Sequence, residues 1–333
     1  MYFGIENRSG IKLLVLLLLL SRSSEGAPAG APQDTLTFLH ISDTHWYTSC
    51  GYHPELVKIR TKRLLSPPPL QQFLDQVPRA VGADLLIITG DLVDFYEGET
   101  SDDHLQTTFI EPFAKMIHHT PVPTLMVLGN HDIVSYWIKD EDQTFASSQL
   151  NAQVARATWI RNLACLRDGV YYRRAFRVGK TRYHFFFLDN GYDLKNGEFI
   201  DKAQLDWLET EMGKTNTEPV IFFMHKFLPA LDYDKNERSF SASRAPVLND
   251  STCSAGFLRV CNQYKNIQLF LVGHTHSRRN ERMPFPNGHE ILQLTTGGFV
   301  NDANNWRVVK LSETEIILYV PGTEKIEFRI RND

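Results

Sequence analysis

Five places along the chain carry side-chain types that bind metals: Asp43 and His45, Asp91 in Gly-Asp-Leu-Val-Asp94, Asn130 in Gly-Asn-His-Asp132, His225, and His274 and His276. Taken singly, each has a plain structural explanation, such as a turn with local hydrogen bonds or a satisfied core histidine. Together they offer seven donors: Asp43, His45, Asp91, Asn130, His225, His274 and His276. Carboxylate, imidazole and amide oxygen suit borderline-to-hard ions such as manganese, iron or zinc. Seven ligands exceed what one catalytic ion takes while keeping an open position. With one carboxylate shared, they supply two ions with four ligands each, about 3.5–4 Å apart.

Those residues need elements to bring them together. Each follows a short apolar run suited to a buried strand: "LTFLHI" (36–41), "DLLIIT" (84–89), "VPTLMVL" (122–128), "PVIFFM" (219–224) and "IQLFLV" (267–272). Open α/β sheets bind ligands at the carboxyl ends of their strands, so turns more than two hundred positions apart can converge. Helix-like stretches lie between them, at 69–81, 105–119 and 201–213, with another at 254–264. "YYRRAFRVGKTRYHFFFL" reads as a hairpin turning at Gly179-Lys180. The last third is strand-rich, with "EILQLTT", "NWRVVKL", "TEIILYVP" and "KIEFRI". The expectation is α/β layers with much antiparallel pairing and no dividing linker. Two long irregular pieces are expected, one from Trp46 to Pro69 and one between His225 and the 254–264 helix.

The 333 residues carry 35 basic against 39 acidic side chains, for a net charge of -4, and no basic block suits a nucleic-acid surface. The densest basic stretch, "KIRTKR" (58–63), is expected on a solvated loop or helix face. Arg8 and Lys12 precede "LLVLLLLL" (13–20) and then small residues, the pattern of a signal peptide over residues 1–26. The apolar run is too short for a conventional span; a short uncleaved anchor is the alternative. On this reading the mature domain covers 33–333, is extracytoplasmic and has no transmembrane span. Export makes disulfides among the four cysteines (Cys50, Cys165, Cys253, Cys261) possible. Eight helical steps from Cys253 to Cys261 would span about 12 Å, too far for a bond, so either that helix starts late or these two pair elsewhere. Asn249-Asp250-Ser251 is a glycosylation sequon.

The series Asp-x-His, Gly-Asp-x-x-Asp, Gly-Asn-His-Asp, His, Gly-His-x-His resembles the calcineurin-like metallophosphoesterase superfamily. The resemblance covers roughly residues 36–280. It implies a four-layer αββα fold, a β-sandwich of two mixed sheets flanked by helices. It implies two divalent or mixed-valence ions, the first held by Asp43, His45, Asp91 and His276. The second would be held by Asp91, Asn130, His225 and His274, with Asp91 bridging. His131 becomes the proton donor or phosphate contact, and Asp94 the aspartate that orients it and favours its charged form. Asp132 supports the turn. Two cations outweigh the two carboxylates and leave a positive site for a phosphoryl group, attacked in line by a hydroxide shared between the ions.

The motifs are most similar to the group containing class III cyclic-nucleotide phosphodiesterases, from which the signal peptide departs. Purple acid phosphatases have a tyrosine where this chain has Asp94, and serine/threonine phosphatases have arginines absent from "GDLVDFYEG" and "GNHDIVS". The substrate class is a small phosphomonoester or phosphodiester, with a nucleotide or lipid headgroup among the choices. The alternative class is an extracellular metal-containing binding protein without turnover. Trp46, Tyr47, Tyr136, Trp137 and Phe227 are candidates to line a pocket. Lys226, Arg244 and Arg278 are candidates to contact phosphate, and "TTGGFVNDANNW" (295–306) is a candidate lining loop.

Overall fold

The computed structural model describes residues 34–47, 51–63, 70–107, 109–139, 144–192, 199–228, 233–234, 239–240 and 253–332. The expected signal peptide, Cys50, Arg244 and the Asn249 sequon lie outside them. Two six-stranded mixed sheets form the centre. The first runs in the order β18 (Ile326–Arg331), β17 (Glu315–Tyr319), β16 (Arg307–Ser312), β1 (Thr35–Ile41), β2 (Leu85–Thr89), β5 (Thr124–Val127). The second runs β14 (Arg279–Pro284), β15 (Glu290–Thr295), β13 (Ile267–Val272), β10 (Val220–Phe223), β9 (Thr181–Phe187), β8 (Tyr172–Val178). In each, the strands that carry candidate ligands pair in parallel, and antiparallel strands lie towards the edges. A small third sheet orders β4 (Leu105–Gln106), β3 (Glu97–Glu99), β6 (Ser135–Lys139) and β7 (Thr144–Ser148). The short strands β11 (Tyr233–Asp234) and β12 (Ser239–Phe240) pair only with each other.

Strand periodicity explains the continuous apolar runs. Successive side chains point to opposite faces, so Ile221 and Phe223 of β10, with Leu269 and Leu271 of β13, join the core between the sheets. Val220, Phe222, Phe270 and Val272 join a second cluster on the outer face. There they meet Leu205, Leu208 and Met212 of a helix at Lys202–Met212 and Phe257 and Cys261 of one at Cys253–Gln263. A strand covered on both faces has no polar alternation to show. Phe38 of β1 packs edge-on against Phe185 and Phe223, with ring centroids 5.4 and 5.8 Å away, joining the two sheets.

Two expectations about local structure change. The helix expected over 105–119 begins at Ile110 and ends at His118, with β4 before it. Pro112 has no N–H and fits only the first turn, where none is needed. The piece expected to be irregular after β1 contains helix α1 (Pro54–Arg63), started by a proline at its first position and Glu55 in its first turn. Cys165 and Cys261 are buried free thiols, so the four cysteines do not form two disulfides. Among the described residues no helix is long and apolar enough to cross a membrane.

His40, on β1, is fully buried beneath the strand ends, its Nδ1 2.6 Å from Thr296 Oγ1 and its Nε2 2.9 Å from Thr89 Oγ1. Burial, reinforced by the charge of Arg307, pushes it down to about 3. In an unfolded chain histidine titrates near 6.5, so below about that pH the unfolded state takes up a proton that the folded state refuses. Stability is therefore fully present above about 6.5 and falls as the pH drops towards 3, by on the order of 3–5 kcal/mol from this one group. His40→Gln should flatten the decline of the urea midpoint between pH 6.5 and 4.5 in chelator-treated protein. A decline as steep as wild type would contradict this account.

Candidate metal centre

The seven candidate ligands stand at the carboxyl ends of both sheets. The first sheet supplies Asp43, His45, Asp91 and Asn130, after β1, β2 and β5; the second supplies His225, His274 and His276, after β10 and β13. The turns brace one another through their backbones. Asp43 N donates to Gly90 O at 3.0 Å, His45 N to Asp91 O at 2.9 Å, and Gly273 N to His225 O at 2.9 Å. The 295–306 loop crosses beside them, with Gly298, Phe299 and Val300 donating to the carbonyls of His276, Ser42 and Asp43.

Among the described residues seven non-glycine positions have positive φ, and five are candidate ligands: Asp43 (55°), His45 (40°), Asp91 (49°), His274 (71°) and His276 (56°). A left-handed backbone at such residues costs on the order of 1–3 kcal/mol each and persists only where surroundings enforce it. Here the cross-turn hydrogen bonds enforce it, and all five side chains fall in two clusters that share Asp91.

Donor spacing tests whether ions fit. Ligand atoms about 2.0–2.2 Å from one ion stand about 3.0–3.5 Å from their neighbours. His45 Nε2 is 3.0 Å from His276 Nε2 and 3.4 Å from Asp91 Oδ2. His276 Nε2 is 3.4 Å from Asp43 Oδ1. On the other side, His225 Nε2 is 3.2 Å from Asp91 Oδ2 and 3.1 Å from Asn130 Oδ1, and His274 groups with them. Two clusters result, Asp43–His45–Asp91–His276 and Asp91–His225–His274, and Asp91 belongs to both. The residues therefore fit a pair of neighbouring cations.

The nitrogens facing away from the clusters are held. His45 Nδ1 lies 3.2 Å from Asp94 Oδ1, and His225 Nδ1 lies 2.9 Å from the Thr89 carbonyl. Such partners fix ring orientation and leave Nε2 for an ion. Burial alone would lower His225, but the negative charge of Asp91 and the hydrogen bond to it lift it to about 9. Burial likewise opposes ionisation of Asp91, yet the charge of His225 and the hydrogen bond from it hold it well below the usual carboxylate range. In the ion-free protein imidazolium stands where cations would.

The expected pairing of Asp94 with His131 changes. His131 Nδ1 donates to the Asp94 main-chain carbonyl at 2.7 Å, while the Asp94 carboxylate serves His45 and Arg60. Asp94 does pull His131 towards its charged form, as Asp91 does, but burial outweighs both and pushes it down to about 4. Asp132 supports its turn as expected, accepting from Gly129 N at 2.7 Å and Val93 N at 3.0 Å.

Two contributing residues escaped the sequence reading. Arg60, within the run expected to be solvated, is only 4% exposed and grips Asp94. Its signal was helical spacing, four positions after the buried Leu56. Asn190 Oδ1 accepts from His225 N and Lys226 N, both at 3.0 Å, and anchors that turn. Of the candidate aromatics, Trp46 packs on Phe109 and Phe113, while Tyr136 lies 6.0 Å from the His131 ring, centroid to centroid. Arg278 reaches Asn305 Oδ1 at 3.1 Å.

Close approach demands glycine at two turns. A Cβ at Gly129 would stand 2.2 Å from Asp91 Oδ1; one at Gly273 would stand 1.8 Å from Ser42 Oγ and 2.7 Å from Asp43 Oδ2. Both clashes fall on candidate ligands or their immediate support. Gly129→Ala and Gly273→Ala are expected to bind Mn²⁺ at least about tenfold more weakly, as loss of a metal site's support typically does. Calorimetric titration of the folded variants checks this, and wild-type affinity in both would refute it.

The comparisons with known proteins agree with this geometry. No curated protein matches the chain. A dimetal phosphatase from Danio rerio is 15% identical, with a TM-score of 0.54 over 90% of this chain and 99% of its own. PhoD is 13% identical, with a TM-score of 0.50 over 93% of this chain and 72% of its own. At such identities these likenesses speak to fold. The calcineurin-like phosphoesterase family matches residues 36–278. By its sequence over most of its length, and with a sandwich to match, the chain belongs to the calcineurin-like phosphoesterases.

Proposed function

We propose that the chain is a dinuclear-metal hydrolase of small phosphomono- or phosphodiesters. The observation that carries the reading is the position of Asp91 Oδ2, 3.4 Å from His45 Nε2 and 3.2 Å from His225 Nε2, one imidazole from each cluster. Asp43, His45, Asp91 and His276 would hold one ion; Asp91, Asn130, His225 and His274 would hold the other. When bound, such a pair supplies Lewis acidity and an activated water for in-line displacement at phosphorus. His131, His274 and His276, half-buried where His45 and His225 are buried, mark the open side from which a phosphoryl group enters.

His131 is the residue for the leaving group. Its Nδ1 is engaged by the Asp94 carbonyl, so Nε2 is the atom free to meet a substrate. At rest the ring is neutral. An arriving phosphoryl anion raises its proton affinity, so Nε2 can take a proton and pass it to the departing alkoxide. We read residues 1–26, with the apolar run 13–20, as an export signal, so that this activity would lie outside the cytoplasm.

Hydrolysis of p-nitrophenyl phosphate and bis-p-nitrophenyl phosphate with added Mn²⁺ tests the proposal and separates monoesterase from diesterase. Asp91→Ala and His225→Ala should lose ions and turnover together. His131→Ala should keep both ions and lose turnover by about 10²–10⁴-fold. Full turnover from Asp91→Ala, or an inert wild-type protein carrying both ions, would sink the reading.

A further inference from the structure

The Asp94 carboxylate is fully buried, yet it belongs to neither of the two clusters that share Asp91. What it does depends on Arg60. From α1, the Arg60 guanidinium donates through Nε to Asp94 Oδ2 at 2.6 Å and through Nη2 to Asp94 Oδ1. Its face lies over the Tyr136 ring, 5.0 Å from the centroid. A planar fork on both oxygens fixes the plane of a carboxylate, which a point charge does not. So fixed, Oδ1 also meets His45 Nδ1 at 3.2 Å.

We propose that Arg60 is a positioning residue for one ion of the pair. By gripping both Asp94 oxygens it aims the acceptor that keeps the His45 proton on Nδ1 and turns Nε2 towards Asp43, Asp91 and His276. The proposal rests on the dinuclear reading above and adds an asymmetry to it. The second cluster owes nothing to Arg60, because His225 is oriented by the Thr89 carbonyl and its turn is held by Asn190. Arg60 therefore governs one ion and not the other. A surface helix that carries none of the family's ligand motifs thus sets half of the centre.

Arg60→Lys tests this, since it keeps the charge and removes the fork. The metal-stripped full chain is titrated with Mn²⁺ by calorimetry, and the imidazole nitrogens of the ion-free protein are followed by ¹⁵N NMR at a pH high enough to leave His45 neutral. Wild type should bind two ions and show His45 protonated at Nδ1. Arg60→Lys should bind one ion about 10–100-fold more weakly, bind the other unchanged, and show His45 with mixed tautomers. Retention of the second ion reports that the fold is intact. As a second variant, Arg60→Met with Asp94→Leu removes the pair without leaving a lone buried charge, and should weaken the same ion alone. Wild type binding two ions while both variants bind them normally, or lose them equally, would overturn the role of Arg60 and leave the dinuclear reading standing. Wild type failing to bind two ions would overturn both.

Discussion

Asp91 leaves β2 with a left-handed backbone, and its carboxylate lies buried between two imidazoles that come from different sheets. A carboxylate removed from water is costly unless positive charge meets it. The protein meets it from several directions: His45 on one side, His225 on the other, and the His131 N–H donating to Oδ1 at 2.8 Å. Much else follows from keeping that one group charged and still. The glycine at 129 is there because any side chain would strike it. The strained turns are tolerated because straightening them would pull their ligands away from it.

The surrounding side chains divide by what they hold. Residue 94 serves twice, its carboxylate holding His45 and its carbonyl holding His131, so a single position aligns a candidate ligand and the candidate proton carrier. Thr89 serves twice as well. Its carbonyl accepts from both His225 and Ser42, while its hydroxyl meets His40. Through Thr89, at the end of β2, His40 and His225 take their orientation from a strand and not from a loop free to move.

The strands of both sheet centres were legible because a doubly covered strand writes itself as an unbroken apolar run, as "VIFF" and "LFLV" do. The turn residues were legible because their types recur at each strand exit. Helix α1 was not, since its few apolar positions are diluted by lysine, arginine and threonine, and with it went Arg60. A basic residue four places from Leu56 looks the same in sequence whether it faces water or a carboxylate. The way Asp94 holds His131 was not legible, for another reason. Sequence names the side chain, while the bond to His131 is made by the backbone, where every residue offers the same carbonyl. Asn190 follows the strand "YHFFFL", which carries no candidate ligand, so nothing drew attention to it.

The ligands are split four to three between the sheets, which makes any captured cation a rivet through the sandwich. Sliding or parting of the two layers would open coordination bonds along with aromatic contacts such as Phe38 against Phe223. Loading the cleft and locking the halves together are then the same event. The architecture has its mechanical seam and its chemistry in one place.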